Sequence, residues 1–127
     1  MKEIIIKSKL IIMMAMFSLS HANDSEDNAL IFFYLSDCGF CHQQADDIKT
    51  TMSQHNINLN IQGISLNAVP LEGFDYPWSP DYGQAEQFNV MVVPTSVFFN
   101  QKNQQYIIIE GYQPLLESLK HIGWINQ

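Results

Sequence analysis

From Ala29 to Ser36 the chain reads Ala-Leu-Ile-Phe-Phe-Tyr-Leu-Ser, and Asp37 then leads into two cysteines, Cys38 and Cys41, with Gly39 and Phe40 between them. An apolar run of that length, bounded by polar residues, fits a strand buried on both faces of a sheet. A strand that hands C-x-x-C to the first turn of a helix puts the first sulfur beside unpaired backbone N–H groups and the positive end of the helix dipole. Both favour thiolate over thiol. The second sulfur, three residues on, can close a disulfide with the first or resolve a mixed disulfide formed with a substrate. This pair therefore reads as a redox site.

Three plainer readings of the pair carry less weight. A purely structural bridge closing so short a ring removes only about 2 kcal/mol of unfolded-chain entropy in the loop model. A structural zinc needs four Cys or His ligands, and beyond the pair the chain past residue 22 offers only His42, His55 and His121. Two inert buried thiols would be oxidised in an exported chain. No metal and no cofactor other than a Cys38–Cys41 disulfide is expected.

Export is read from the N-terminus. Lys2, Lys7 and Lys9 form a positive region, Leu10 to Leu19 is apolar except for Ser18, and Ser20-His21-Ala22 places small residues at the minus-three and minus-one positions of a cleavage site before Asn23. The apolar stretch is too short to span a bilayer as a helix, so residues 1–22 read as a signal peptide. An uncleaved membrane anchor is the alternative. Residues 23–28 read as a disordered leader and residues 29–127 as one small domain.

The charge supports an extracytoplasmic, periplasmic setting. The full chain has a net charge of −7, and cleavage removes three of its six cations but only one of its thirteen acids, Glu3. No arginine is present, and Lys49, Lys102 and Lys120 are the lysines that stay. Such a surface does not seek nucleic acid. The expected partners are secreted cysteine-containing proteins and a membrane or periplasmic redox protein, with the chain itself a monomer.

Beyond the cysteines, strand and helix patterns alternate. Cys41, Ala45, Ile48 and Met52 recur at helical spacing, predicting an amphipathic helix from Cys41 to about Gln54. Leu59 to Leu66 reads as a second strand despite Gly63. Asn67 to Ser79 carries Pro70, Pro77, Gly73, Phe74, Tyr76 and Trp78 and reads as an ordered loop; its aromatics either pack on the core or meet a partner. Ser79-Pro80 reads as the start of a short helix through Phe88. Pro94 begins a third strand ending at Asn100, Gln101 to Gln104 is a turn, and Gln105 to Glu110 is a β-branched fourth strand. Pro114 to Ile125 is a terminal helix with Leu115, Leu116, Leu119, Ile122 and Trp124 as its apolar stripe.

This order of elements, with Cys-x-x-Cys at the first helix and Val92-Val93-Pro94-Thr95 before the third strand, resembles the thioredoxin superfamily. The resemblance implies an α/β, thioredoxin-like fold: a four-stranded mixed sheet in spatial order 2-1-3-4, the last strand antiparallel, with helices on both faces. It is a minimal version lacking the N-terminal strand and helix. It also implies a cis bond before Pro94 and a proline that faces the cysteines, with Val93, Pro94 and Thr95 binding a substrate peptide. Within the superfamily, Phe33-Tyr34, Cys38-Gly39-Phe40-Cys41-His42, Gly63-Ile64-Ser65-Leu66-Asn67, Asp81-Tyr82-Gly83-Gln84 and Val90 to Pro94 look like the TraF/TrbB group, pilus-assembly thiol–disulfide proteins of F-type conjugation systems. The match runs over most of residues 29–112.

The resemblance casts Cys38 as the attacking thiolate and Cys41 as the resolving cysteine, in a protein disulfide oxidoreductase or isomerase serving a conjugative pilus or type IV secretion apparatus. Asp37, Gly39, Phe40 and His42 are the residues placed to tune it. Asp37 is a like charge beside Cys38, and Gly39 and Phe40 add no cation, so the thiol is expected to be less acidic than in the strongest oxidants. Thioredoxin and several oxidants place a carboxylate six residues before the first cysteine; that position here is Phe32. Gly-Phe between the cysteines resembles the isomerase group and valine before the proline resembles the oxidase group, so the direction of transfer stays open. The competing class is a non-catalytic adaptor that uses the fold as a binding platform around Phe74, Tyr76 and Trp78.

Overall fold

A computed structural model describes residues 5–8 and 27–126. Strands β1 (Ile5–Ser8), β2 (Asn28–Tyr34), β3 (Asn60–Ser65), β4 (Trp78–Pro80), β5 (Thr95–Asn100) and β6 (Gln105–Glu110) and helices α1 (Gly39–Gln54), α2 (Gln84–Gln87) and α3 (Leu115–His121) follow the chain order β1, β2, α1, β3, β4, α2, β5, β6, α3. The strands form one mixed sheet in the order β1-β6-β5-β2-β3-β4. Its inner four strands stand in the expected order.

The apolar run is the reason β2 lies at the centre. Leu30, Phe32 and Tyr34 point to one face and Ala29, Ile31 and Phe33 to the other, and each set enters a separate core. Alternate residues of a strand face opposite sides, so only a strand covered twice can be apolar throughout. On the first face α1 supplies Cys41, Ala45 and Ile48, and α3 supplies Leu115 and Leu119. On the second, Phe88 closes α2 and packs edge-on against Tyr106, ring centroids 4.7 Å apart. The two helices of the first face are tied together: the buried Gln44 amide donates to the Gln113 carbonyl at 2.9 Å and accepts from the Gln113 N–H at 3.0 Å. Asp47 accepts from the Leu115 N–H at 2.6 Å, at the start of α3.

Several elements differ from expectation. β5 is antiparallel to β2 as well as to β6, so the reversal of direction comes one strand earlier than the resemblance implied. The connection explains it: α2 has four residues, about 6 Å of rise, and the chain re-enters the sheet at the end where it left. Residues 78–80, read as loop and helix start, instead form β4 beside β3, with Gly63 opposite Trp78 and Ser65 opposite Pro80. Pro80 sits on the sheet's edge, where its missing N–H costs no ladder bond. Helix α2 consequently starts later, after Asp81 has accepted from the N–H groups of Gly83 and Ala85. Helix α3 is shorter than its apolar stripe, closing at His121 with Gly123 in the left-handed region. Asn28, placed in the leader, already belongs to β2.

Among the described residues no helix precedes β2, and Ile5–Ser8 form a short edge strand, β1, paired antiparallel with β6 from Ile5 opposite Ile108 to Ser8 opposite Gln105. An open strand edge offers unpaired N–H and C=O groups to any extended segment. Apart from Ile5–Ser8, the segment read as a signal peptide lies outside the described residues, as do residues 23–26. Among the described residues no helix is long and apolar enough to cross a membrane.

Candidate redox site

At the end of β2 the chain turns through Leu35, Ser36 and Asp37 before Cys38 enters α1 as its N-cap, in an extended conformation. The first-turn amides converge there: the Cys41 and His42 N–H groups donate to the Cys38 carbonyl, each at 3.1 Å, and the Cys41 N–H also lies 3.1 Å from the Cys38 Sγ. Cys38 and Cys41 form a disulfide with Cα atoms 5.1 Å apart. Cys41 has no exposure at all, whereas Cys38 is half-buried and reaches the surface. One sulfur is offered to a partner and the other is held in the core.

The register places the proline opposite this pair. Thr95 stands opposite Phe33, so Pro94 falls level with Tyr34, at the end of β2 from which the cysteines emerge. The Val93–Pro94 peptide is cis. Pro94 is buried, its carbonyl accepts from the Gly111 N–H at 2.8 Å, and the Thr95 hydroxyl donates to the Val92 carbonyl at 2.7 Å. Val93, like Cys38, packs half-buried against the cluster that contains Cys41, and its own N–H and C=O bond to none of the described residues. Of the residues singled out in the sequence, Cys38, Cys41, Val93, Pro94 and Thr95 are brought together at one end of the sheet.

The neighbours divide by exposure. Asp37 is exposed, Gly39 has open space where a side chain would stand, and Phe40 projects into solvent. His42 lies back along the helix, and its Nε2 meets the Ser36 carbonyl at 3.0 Å. The Ser36 hydroxyl accepts from the Asn67 side-chain amide at 3.0 Å, and Asn67 Oδ1 in turn lies 2.9 Å from the buried Ser65 hydroxyl. The turn that carries Cys38 is thus held from two sides, by α1 and by the segment after β3. Ser36, Ser65 and Asn67 were not singled out as functional in the sequence; the one available sign was a Ser and an Asn at the ends of two adjacent apolar strands, where polar side chains commonly tie loops.

Under Cys41 lies an aromatic layer. Phe32 stacks at 5.2 Å on Tyr34 and at 5.3 Å on Phe74, ring centroid to centroid. Gly63 makes room for this layer, since a Cβ there would stand 2.5 Å from the Phe74 ring. Burial pushes the Tyr34 phenol up to about 12, and its hydroxyl has no hydrogen-bond partner among the described residues. No cluster of His, Cys, Asp or Glu among the described residues could hold a metal.

Comparison with known proteins agrees with this arrangement. The model of the family described as TraF, F plasmid transfer operon protein, matches residues 16–114. Among solved structures, StoA from Bacillus subtilis superposes with a TM-score of 0.59 at 17% identity, over 76% of this chain and 81% of that one. A thiol:disulfide interchange protein DsbE from Chlorobium tepidum gives 0.59 at 18%, over 76% and 77%. A DsbF homologue from Corynebacterium diphtheriae gives 0.62 at 16%, over 79% and 73%. No curated protein matches in sequence. At these identities the solved structures establish the thioredoxin-like fold.

Proposed function

Starting from the fact that the chain belongs to the TraF family of F plasmid transfer operon proteins, we propose that it is an exported thiol–disulfide oxidoreductase or isomerase. Its substrates are extracytoplasmic proteins of a conjugative pilus or type IV secretion apparatus. The observation that carries this reading is the pairing of a half-exposed N-cap sulfur with a fully buried one, beside an unbonded peptide unit at Val93.

The chemistry follows from that asymmetry. A substrate thiolate attacks Cys38 Sγ, the only accessible sulfur of the disulfide; the new S–S bond joins substrate to Cys38, and Cys41 leaves and takes up a proton. A second substrate thiolate attacks the substrate sulfur of the mixed disulfide and releases the Cys38 thiolate. The substrate loses two electrons and two protons, and the protein gains the two electrons as a dithiol. An extracytoplasmic disulfide-bearing redox protein restores the disulfide by the reverse exchange. Helix α1 favours the leaving thiolate through the amides directed at Cys38. Val93 can bond an extended substrate backbone as a further strand would, while Pro94 and Thr95 hold that peptide in place. Export rests on the leader reading of residues 1–22; cleavage there also removes β1 and leaves β6 as the sheet's edge.

Of the platform the adaptor reading relied on, Phe74 is buried in the core and Tyr76 packs half-buried against it, while Trp78 stays exposed. Trapping discriminates the two. In Cys41→Ala the Cys38 thiolate attacks a disulfide of a client, one client sulfur leaves as thiolate, and Cys41 is not there to displace the other, so non-reducing gels of periplasmic extracts are expected to show covalent adducts with cysteine-containing proteins. A variant that captures none while Cys38→Ala still supports conjugation would overturn the enzymatic reading.

A further inference from the structure

Strand β6 has β5 on one side and β1 on the other, the latter from Ile5 opposite Ile108 to Ser8 opposite Gln105. β1 lies wholly within residues 1–22, the segment read as a leader, so cleavage uncovers the outer side of β6 along Gln105 to Ile108. That stretch reads Gln-Tyr-Ile-Ile and carries no charge; the strand stays neutral until Glu110. An edge that is β-branched and free of proline and lysine has nothing in it to discourage an added strand.

A cavity of about 210 Å³ lies beside the same edge. Phe98, Ile107, Ile122 and Trp124 give it an apolar lining, with Trp124 edge-on to Phe98 at 5.8 Å, and Asn100 and Gln105 complete it. Gln105 and Ile107 share one face of β6, so a strand added there sets side chains opposite both of them, about 5 Å away. An apolar space of about 150 Å³ already takes a benzene ring, so this one has room for a Leu or Phe side chain.

We propose that the outer edge of β6, once residues 1–22 are gone, is a docking site for an extended, neutral or basic segment of a partner protein. The segment adds antiparallel to β6 and places a large apolar side chain opposite Ile107. The inference rests on the export reading of the leader and adds to it a binding surface separate from the cysteines. Ile107 stands opposite Phe98, and Phe98 opposite Leu30, two strands across from β2 and four residues before its end. A docked partner therefore leaves Cys38 open. The occupant's chemistry is read from the strand that sits there and from the charge around it. β1 runs antiparallel to β6, has Ile6 opposite Ile107 and Lys7 opposite Tyr106, and is followed by Lys9. After cleavage three lysines face twelve acids, so a basic segment is attracted, whereas a second copy pairing β6 with β6 is repelled.

The test uses the exported protein purified from the periplasm, with a fluorescent peptide of residues 4–9 as the probe. Anisotropy is expected to show saturable binding, and amide hydrogen exchange to show new protection along Gln105 to Ile108. The full chain with residues 1–22 retained, where β1 holds the edge, is expected to bind about tenfold more weakly. Alternate residues of a strand bond to a given neighbour, so the peptide change Ile6→Pro/Lys7→Pro removes a ladder bond and is expected to abolish binding. Ile6→Ser in the peptide should weaken binding about tenfold through lost burial, and Lys7→Asp/Lys9→Asp about as much through like charge. The rate at which dithiothreitol reduces Cys38–Cys41 should be the same with and without bound peptide. Binding undiminished in the proline or the acidic peptide, protection that falls outside β6, or a stable dimer of the exported protein that the peptide does not dissociate would each overturn the proposal. Mass spectrometry separates these results from failure of the export reading: an exported protein that still carries residues 1–22 has no vacated edge, and the proposal falls with that reading.

Discussion

At the cysteine end of the sheet the connections leave apolar side chains and one peptide unit without partners, whereas at the far end the β5–β6 connection closes on itself. There Asn100 Oδ1 accepts from the Lys102 and Asn103 N–H groups, Asn103 Oδ1 accepts from the Gln105 N–H, and the Asn100 amide donates to Asn28. The Gln101 N–H reaches across to the Asp27 carbonyl at 2.8 Å. Loops are ordinarily finished in this way, because unpaired polar groups and exposed apolar surface both cost free energy. The contrast is between one end that is satisfied internally and another that leaves bonding capacity and apolar surface unused within the described residues.

That division can be broken by substitution at either end. The largest effect is expected for Cys38→Ser, which leaves no accessible sulfur, so disulfide transfer to a peptide dithiol falls to the uncatalysed rate in a stopped-flow assay. At the far end, Asn100→Ala removes a group that closes three hydrogen bonds, and about 2 kcal/mol of stability is expected to go, read as a lower midpoint in urea. Disulfide transfer by that variant should stay within roughly twofold of the parent, since the bonds lie across the sheet from Cys38. A slowing comparable to the loss of stability would show that the two ends are not independent.

Asn67→Ala sharpens the comparison, because Asn67 is a polar tie at the open end. It is exposed, so about 0.5–1 kcal/mol of stability is at stake, yet the Ser36 hydroxyl it holds belongs to the turn before Cys38. Transfer is expected to slow by roughly threefold to tenfold through misplacement of that turn, with Asn67→Asp, which keeps an acceptor for Ser65 but loses the donor to Ser36, equally slow. The smallest effect is expected for Tyr34→Phe. Its hydroxyl is buried without a partner, so deletion should be neutral or stabilising by up to about 1 kcal/mol. The pH dependence has a definite sign. Folded Tyr34 ionises near 12 against an ordinary 10.0, so the folded state keeps a proton that the unfolded state releases. This contribution is intact below pH 10 and lost as pH rises toward 12, and an alkaline titration of stability should fall less steeply in Tyr34→Phe than in the parent.

Much of this was legible in the residues. The inner four strands and the first helix followed from apolar pattern and cysteine spacing; the strand order and the convergence of Cys38, Cys41 and Pro94 were what the resemblance to the thioredoxin superfamily implied. What escaped has physical reasons. Trp78–Pro80 joins the sheet through backbone pairing with β3, extended by the Gly63 N–H donating to the Pro77 carbonyl at 2.8 Å, a long-range contact that local prolines conceal. The direction of β5 depends on where the connection through α2 lets the chain return, which periodicity does not encode. The Ser36–Asn67 tie joins residues 31 apart, and neither side chain looks unusual alone.

The aromatic layer under Cys41 has a consequence for timing. With Phe32 where a carboxylate might have stood, and with a phenol that keeps its proton far past neutrality, the core around the resolving sulfur offers no base. A thiol in apolar surroundings is slow to ionise, so in the proposed exchange a captured client would stay tethered until solvent reaches the sulfur. A long tether gives the client's other cysteines time to attack the linkage and rearrange, instead of being released at the first encounter.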